Sequence, residues 1–286
     1  MLDVRIKEYL SRIGIRKIFE LDTALLEACG PEEGRKHIER LTELYDRSEE
    51  RLVYGSRDTP YLYRQEELVD YLNQSLQMSL LAASFYDRVF FRRAMEYLLR
   101  YENFWKGDII DIGCGNGILS CFLALCHPDS FVTGLDLSGN AVSVAEELAK
   151  KLQIGNVRFD HPKAPGKRKC DTLFTCRTVH ENVVPRPLCE EAKGNMLSAG
   201  EQTRRYEAYA EELSAFVRPG GYLISIERYE GGPAGAGLAG ALRQLGFCLV
   251  KETQMQFSCK NGDETASFQT GIFKNMQEES TDQIVY

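Results

Sequence analysis

Ile109-Ile110-Asp111-Ile112-Gly113-Cys114-Gly115-Asn116-Gly117 is the stretch whose reading decides the fold. Two β-branched apolar residues lead into an acid, and three glycines follow at every second position. The pattern predicts a buried parallel strand ending in a tight turn, which opens a helix from 118 to about 127. Glycine suits such a turn because it accepts positive φ and lets the backbone come close to a ligand. Asp111 is placed either to bond ligand donors or to brace the amides of the turn. A dinucleotide fingerprint would run G-x-G-x-x-G, and here the third glycine arrives one residue early. An ordinary glycine-rich strand-to-helix turn is the competing reading.

The surrounding composition is that of a globular protein. The chain has 286 residues, 43% of them hydrophobic and 27% charged, enough for one large or two modest domains. A net charge of −7 argues against a nucleic-acid partner, which usually needs a basic face. Lys163, Lys167, Arg168 and Lys169 form a local basic patch, read either as a phosphate site or as a solvated turn. The first ten residues mix acids and bases without an apolar core, so no signal peptide is expected there. No apolar run reaches the about 18 residues of a membrane helix. The nine cysteines are odd in number and lack zinc-type spacing, Cys114 to Cys121 and Cys170 to Cys176 included, so a reducing, cytoplasmic setting is expected and no metal.

Before the glycine strand the sequence reads as helices. Val4, Ile6, Tyr9, Leu10 and Ile13 mark one amphipathic helix; Phe19, Leu21, Ala24, Leu25 and Ala28 mark a second. Pro31-Glu32-Glu33 opens a third, which runs to about 53 and is closed by Gly55. Two more helices are expected over 65–84 and 85–101. After it, strands and helices alternate: Phe131-Val132-Thr133-Gly134-Leu135-Asp136, a helix over 141–152, Val157-Arg158-Phe159, and Asp171-Thr172-Leu173-Phe174-Thr175-Cys176. A helix over 201–217 stops at Pro219-Gly220-Gly221, then come Tyr222-Leu223-Ile224-Ser225-Ile226-Glu227, a helix over 234–245, and two closing strands over 247–257 and 266–273, read as an antiparallel pair. The expectation is α/β: a doubly wound, mostly parallel, seven-stranded Rossmann-like sheet preceded by an all-helical segment. The expected division is a helical cap or dimerisation domain over 1–106, a ligand-binding domain over 107–276 and a polar tail over 277–286. A ligand would sit beyond the carboxyl ends of the strands.

Acid-x-Gly-x-Gly-x-Gly resembles motif I of the class I S-adenosylmethionine-dependent methyltransferases, and the order of elements from 108 to 275 resembles that family over about three fifths of the chain. The resemblance implies S-adenosylmethionine as cofactor, S-adenosylhomocysteine as product, and a cofactor site of Asp111, Gly113, Cys114, Gly115, Asn116 and Gly117. It places Asp136 on the ribose hydroxyls with Leu137 beside it, Asp136 being read otherwise as a cap of the next helix. Asp160 is the nearest acid for the adenine, or else a turn residue before Pro162; Asp171 is structural. Cys176 ends the fourth strand at the cofactor. His180 resembles the first of a histidine pair near the transferred methyl, with Glu181 in the second place; His180 is a general base, or simply bonded to backbone.

Methyl transfer is an in-line displacement from a good leaving group, so the protein mainly aligns the partners and excludes water. The helical segment is the expected cover. Tyr86, Arg177 and Glu181 are the expected substrate-pocket residues, with Tyr61, Tyr63, Phe85 and Trp105 as further candidate walls. The fourth strand lacks an Asn-Pro-Pro-Tyr run, which lowers the odds of a DNA-base or glutamine target. The expectation is therefore a small-molecule acceptor, no nucleic acid, no membrane, and a homodimer through the N-terminal helices. Two alternatives stand: aminocarboxypropyl transfer of the nicotianamine synthase type, and a non-catalytic binding protein on the same fold.

Overall fold

The computed structural model describes residues 3–54, 66–162, 169–183, 199–229, 234–261 and 264–277. Tyr61, Tyr63, Gly55, residues 163–168 of the basic patch and the tail beyond Gln277 lie outside the described residues.

The helical segment comprises α1 (Val4–Ile13), α2 (Leu21–Cys29), α3 (Pro31–Tyr54), α4 (Glu66–Leu72), α5 (Leu76–Ala82) and α6 (Arg88–Arg100). In α1 the buried residues Ile6, Tyr9, Leu10 and Ile13 fall at the i, i+3, i+4, i+7 spacing of one helix face. Val4 and Phe19, expected on apolar faces, are instead 61% and 78% exposed, and Phe19 precedes its helix. The helix expected over 65–84 is broken at Asn73-Gln74-Ser75. Ser75 caps α5 by accepting the Met78 amide on its side chain, at 3.2 Å, and a cap of this kind is worth about 1 kcal/mol. Between α5 and α6 the chain widens into a π-helical turn, Ala83–Asp87, a feature that often marks functional sites.

The sheet has eight strands rather than seven: β1 (Asp108–Ile112), β2 (Phe131–Leu135), β3 (Val157–Asp160), β4 (Cys170–Cys176), β5 (Val217–Tyr229), β6 (Phe247–Leu249), β7 (Met255–Asn261) and β8 (Glu264–Asn275). The extra strand arises because a 3-10 turn at Lys251–Thr253 splits the single closing strand expected over 247–257. Strand order is β3-β2-β1-β4-β5-β8-β6, with β7 also on β8. The first five strands run parallel, whereas β8 is antiparallel to β5, β6 and β7. Val217 starts β5 instead of ending a helix, and the pairing with β4 shifts register near Cys170 before Tyr222 pairs with Thr172. Asp171 has the structural role expected: its carboxylate accepts the Asp108 amide at 2.8 Å and Arg218 at 2.7 Å.

Side chains alternate across the sheet, so neighbours feed different cores. Ile109, Phe174, Ile224 and Ile272 join one core with α1, α6, α7 (Ile118–Cys126) and α8 (Gly139–Leu152). Ile110, Leu173, Leu223 and Phe273 join the other with α10 (Ala199–Ser214) and α11 (Ala234–Gln244). Helices α2 to α5 hold a smaller cluster of their own around Leu25. Strand order reverses between β1 and β4, which opens a crevice at their carboxyl ends. Among the described residues no helix is long and apolar enough to cross a membrane.

Candidate functional site

The crevice is floored by the glycine turn. The Gly113 and Cys114 amides both donate to the Leu135 carbonyl, at 2.8 and 3.1 Å, which folds the turn against the end of β2. Gly113 and Gly117 have φ of 71° and 72°. A β-carbon would lie 2.5 Å from Thr178 Cγ2 at Gly113 and 2.6 Å from Ala145 Cβ at Gly117, so only glycine fits either place. The Cys114 side chain is buried beside Gly134, and burial pushes its thiol well above the usual range.

Asp111 is 1% exposed. Its Oδ2 accepts the Ser120 hydroxyl at 2.5 Å, and its Oδ1 has no hydrogen-bond partner among the described residues. Burial pushes this carboxyl up to about 7; the Ser120 bond opposes the shift and the charge of Asp136 adds to it. Asp136, one residue past β2, accepts the Gly115 amide at 2.8 Å and the Ser138 amide at 2.9 Å. A carboxylate offers about four acceptor positions, so two stay available. Leu137 is 78% exposed between them. Asp160 ends β3, where its side chain accepts the His161 amide at 2.9 Å and its carbonyl accepts the Asp136 amide at 3.3 Å.

The loop after β4 forms the opposite wall. Cys176 pairs with Ile226 of β5, and burial raises its thiol well above the usual range, so it stays neutral. Arg177 has φ of 63°, unusual for a side chain with a Cβ. It is held there by its amide bond to the Ile226 carbonyl (2.9 Å), by a 2.8 Å ion pair with Asp87, and by the Phe90 ring 5.2 Å beneath its guanidinium. Beyond it, Glu227 is 4% exposed and accepts the Val179 amide at 3.0 Å, with the Thr175 and Thr178 hydroxyls at 3.3 and 3.4 Å. Tyr209 donates to Thr178 at 2.7 Å. His180 and Glu181 lie on the short helix α9 (Val179–Asn182), and their side chains are outside the described residues.

The helical segment reaches this wall through the π-turn. Tyr86 is half-buried and accepts the Tyr45 hydroxyl at 2.7 Å; burial raises both phenols. A cleft next to Arg177 is lined by Tyr86, Asp87, Phe90, Arg228, Lys260 and Phe268. Phe85 packs on Tyr86, whereas Trp105 is buried against Phe174 and walls no crevice. Sequence reasoning missed Ser120, Asp70, Asp87 and Glu227. Only Glu227 carried a signal, as a lone acid closing an apolar strand.

Two features test whether the crevice fits the cofactor that the sequence implies. The orphaned Asp111 Oδ1 is a buried acceptor lacking a donor, a situation that costs about 1–3 kcal/mol and that a cationic or N–H-bearing ligand relieves. A side chain at Gly115 would meet nothing within 4 Å, so open space lies beside Asp136. The residues fit a ligand with a cationic end and a vicinal diol.

A family profile described as "Methyltransferase domain" matches residues 106–281, more than half of the chain, and the chain belongs to that family. The fold and the family place it among the class I, Rossmann-like, S-adenosylmethionine-dependent methyltransferases. Among curated relatives, the chain is 34% identical over 95 residues to ribosomal RNA small subunit methyltransferase G of Thermotoga neapolitana, covering 32% of this chain and 41% of that protein. It is 27% identical over 163 residues to release factor glutamine methyltransferase of Vibrio cholerae, covering 54% and 56%. With tRNA (guanine-N(7)-)-methyltransferase of Schizosaccharomyces pombe it shares 26% over 145 residues, covering 44% and 48%. The chain thus spans about half the length of these relatives. Their names overturn the expectation of a small-molecule acceptor and no nucleic acid: the matches are RNA and protein methyltransferases. The physical reason is that net charge is a sum over the whole surface, and −7 overall does not fix the charge of any one face. The aminocarboxypropyl alternative gains no support from the matched family.

Proposed function

We propose that the chain transfers the methyl group of S-adenosylmethionine to an RNA base nitrogen that carries a free lone pair at neutral pH. The observation that carries this reading is the cleft after β4, where exposed Lys260 and half-buried Tyr86 lie beside Arg177 and its partner Asp87. Cations suit phosphates and aromatic faces suit unstacked bases, which is how single-stranded RNA is usually held. The names of the rRNA and tRNA relatives support it. The missing Asn-Pro-Pro-Tyr run speaks against an amide nitrogen such as glutamine's.

Bound S-adenosylmethionine supplies an electrophilic methyl on a sulfonium. Asp136 accepts from its ribose, the Gly113 to Gly117 turn gives it a close backbone floor, and Asp111 lies buried behind the turn as the acceptor for a donor. Residues 1–106 act as the cap and residues 107–276 as the cofactor-binding part. Arg177 and Lys260 hold acceptor phosphate, and Tyr86 walls the acceptor pocket. A nitrogen with a free lone pair needs no proton removed before attack, so His180 is not required as a base on such an acceptor. The test is a labelled-methyl assay on total cellular RNA and protein. Nuclease-sensitive, protease-resistant label is expected; label confined to protein would contradict the RNA reading.

A further inference from the structure

The helical segment is bonded in turn to the three loops that form the crevice. Asp70 on α4 accepts the Ser138 hydroxyl at 2.5 Å, at the end of the loop after β2, and its carbonyl accepts the Asn140 side chain at 3.0 Å, in the first turn of α8. Ser79 on α5 accepts the Asn116 side chain of the glycine turn at 3.0 Å. Asp87, closing the π-turn, pairs with Arg177 after β4. Asn73 holds Ser79 in place, accepting its hydroxyl at 2.9 Å.

The first of these contacts ends at the ribose acid. Ser138 uses both its polar groups at once. Its amide donates to Asp136 Oδ1 at 2.9 Å, while its hydroxyl donates to Asp70 and accepts the Ala141 amide at 3.2 Å, capping α8. With the hydroxyl hydrogen committed to Asp70, its lone pairs are left to face Ala141, which fixes the Ser138 rotamer and the turn that aims its amide. Asp136 Oδ2 is then fixed from the other side by the Gly115 amide. An unbroken line of hydrogen bonds therefore runs from the cap, through Ser138, to Asp136 and the glycine turn. The hydroxyl and the amide of Ser138 are joined through Cα and Cβ, so fixing the side-chain rotamer restricts the turn that carries the amide.

We propose that Asp70 is a positioning residue of the cofactor site: through Ser138 it sets the orientation of Asp136 toward the ribose hydroxyls. This rests on Asp136 as the ribose acid, and not on the identity of the methyl acceptor. Nothing in the spacing of the sequence connects position 70 to position 136; only the fold brings them together. By linkage, the ligand that needs Asp136 oriented also favours the docked arrangement of α4.

The experiment is calorimetry with two probes, S-adenosylhomocysteine and its analogue lacking both ribose hydroxyls, on wild type, Asp70→Ala, Asp70→Asn, Asp136→Ala and the Asp70→Ala/Asp136→Ala double variant. Asp70→Ala is expected to weaken S-adenosylhomocysteine about three- to tenfold and to leave the analogue unchanged. It should have no further effect in the Asp136→Ala background. Asp70→Asn keeps an acceptor oxygen for Ser138 and should bind within about twofold of wild type. Steady-state rates should show KM for S-adenosylmethionine rising while kcat holds. Equal weakening for both probes would make Asp70 a packing residue and overturn the proposal, as would unchanged affinity in Asp70→Ala beside a weakened Asp136→Ala. If Asp136→Ala itself binds normally, the ribose assignment and the proposal fall together.

Discussion

Asp87 Oδ1 lies 2.8 Å from Nη1 of Arg177, so the π-turn of the cap is tied by an ion pair to the left-handed residue that follows β4. Both side chains are partly exposed, at 25% and 32%, which limits the pair to about 1 kcal/mol of stability. Its larger effect is on geometry, because Arg177 sits where β4 hands over to the loop that follows it.

Replacing Asp87 by Ala should lower the melting temperature by only about 2–4 °C, yet reduce kcat well beyond that loss. Arg177→Gly removes the same pair and relieves the positive φ, so it should be closer to wild type in stability while sharing the catalytic loss. Melting curves and single-turnover rates on the two variants check this. Wild-type turnover in both would detach the pair from catalysis.

Two glycine variants separate folding from binding. Gly113→Ala drives a methyl into Thr178 at positive φ and should cost about 2 kcal/mol or more of stability. Gly115→Ala also bears a positive φ, 52°, but meets no protein atom, so its stability loss should be the smaller. Its methyl occupies the open space beside Asp136, and S-adenosylhomocysteine affinity should fall about tenfold or more. Chemical denaturation and calorimetry measure the two effects. A Gly115→Ala protein that binds normally would place the ligand elsewhere.

These two positions also show what the sequence made legible. The glycine spacing announced β1, the turn and α7, because three glycines behind a β-branched run leave few backbone alternatives. Asp111 and Asp136 stand out as acids at strand ends, where burial makes a charge costly. Asp70, Ser79 and Asp87 are ordinary polar residues on amphipathic helices, and their partners lie 68, 37 and 90 residues away. No local pattern encodes such distances. The break at Ser75 and the π-turn were hidden for a related reason: the apolar period continues across both. Whole-chain charge misled most, since a sum over the surface does not report the charge of any one face.

Asp111 gives a pH signature. Its folded-state pKa of about 7 lies above the unfolded value of about 4, so the folded state holds the proton more tightly. The stability it contributes is complete below the unfolded pKa and is lost as pH rises through about 7. Relative to Asp111→Asn, the wild type should lose of the order of 2 kcal/mol between about pH 5 and 8. Urea titrations across that range give the comparison, and a flat difference would mean that Asp111 does not titrate there.

Lys260 is exposed on β7 at the edge of the cleft. Lys260→Glu should weaken RNA binding severalfold and reduce the slope of log affinity against log salt by about one. Affinity for S-adenosylhomocysteine should not change. Binding isotherms at several salt concentrations decide it; an unaltered slope would remove Lys260 from the RNA path.

The cofactor site itself is tested most directly by calorimetry of S-adenosylhomocysteine on the wild type and on Asp136→Ala. Hydrogen bonds to a charged group contribute about 1.5–3 kcal/mol, so the variant should bind roughly ten- to a hundredfold more weakly with its fold intact. The wild type should also be stabilised against heat by S-adenosylhomocysteine and not by NAD or NADP. Equal affinity in the two proteins, or a thermal shift with NAD alone, would contradict the assignment of this crevice.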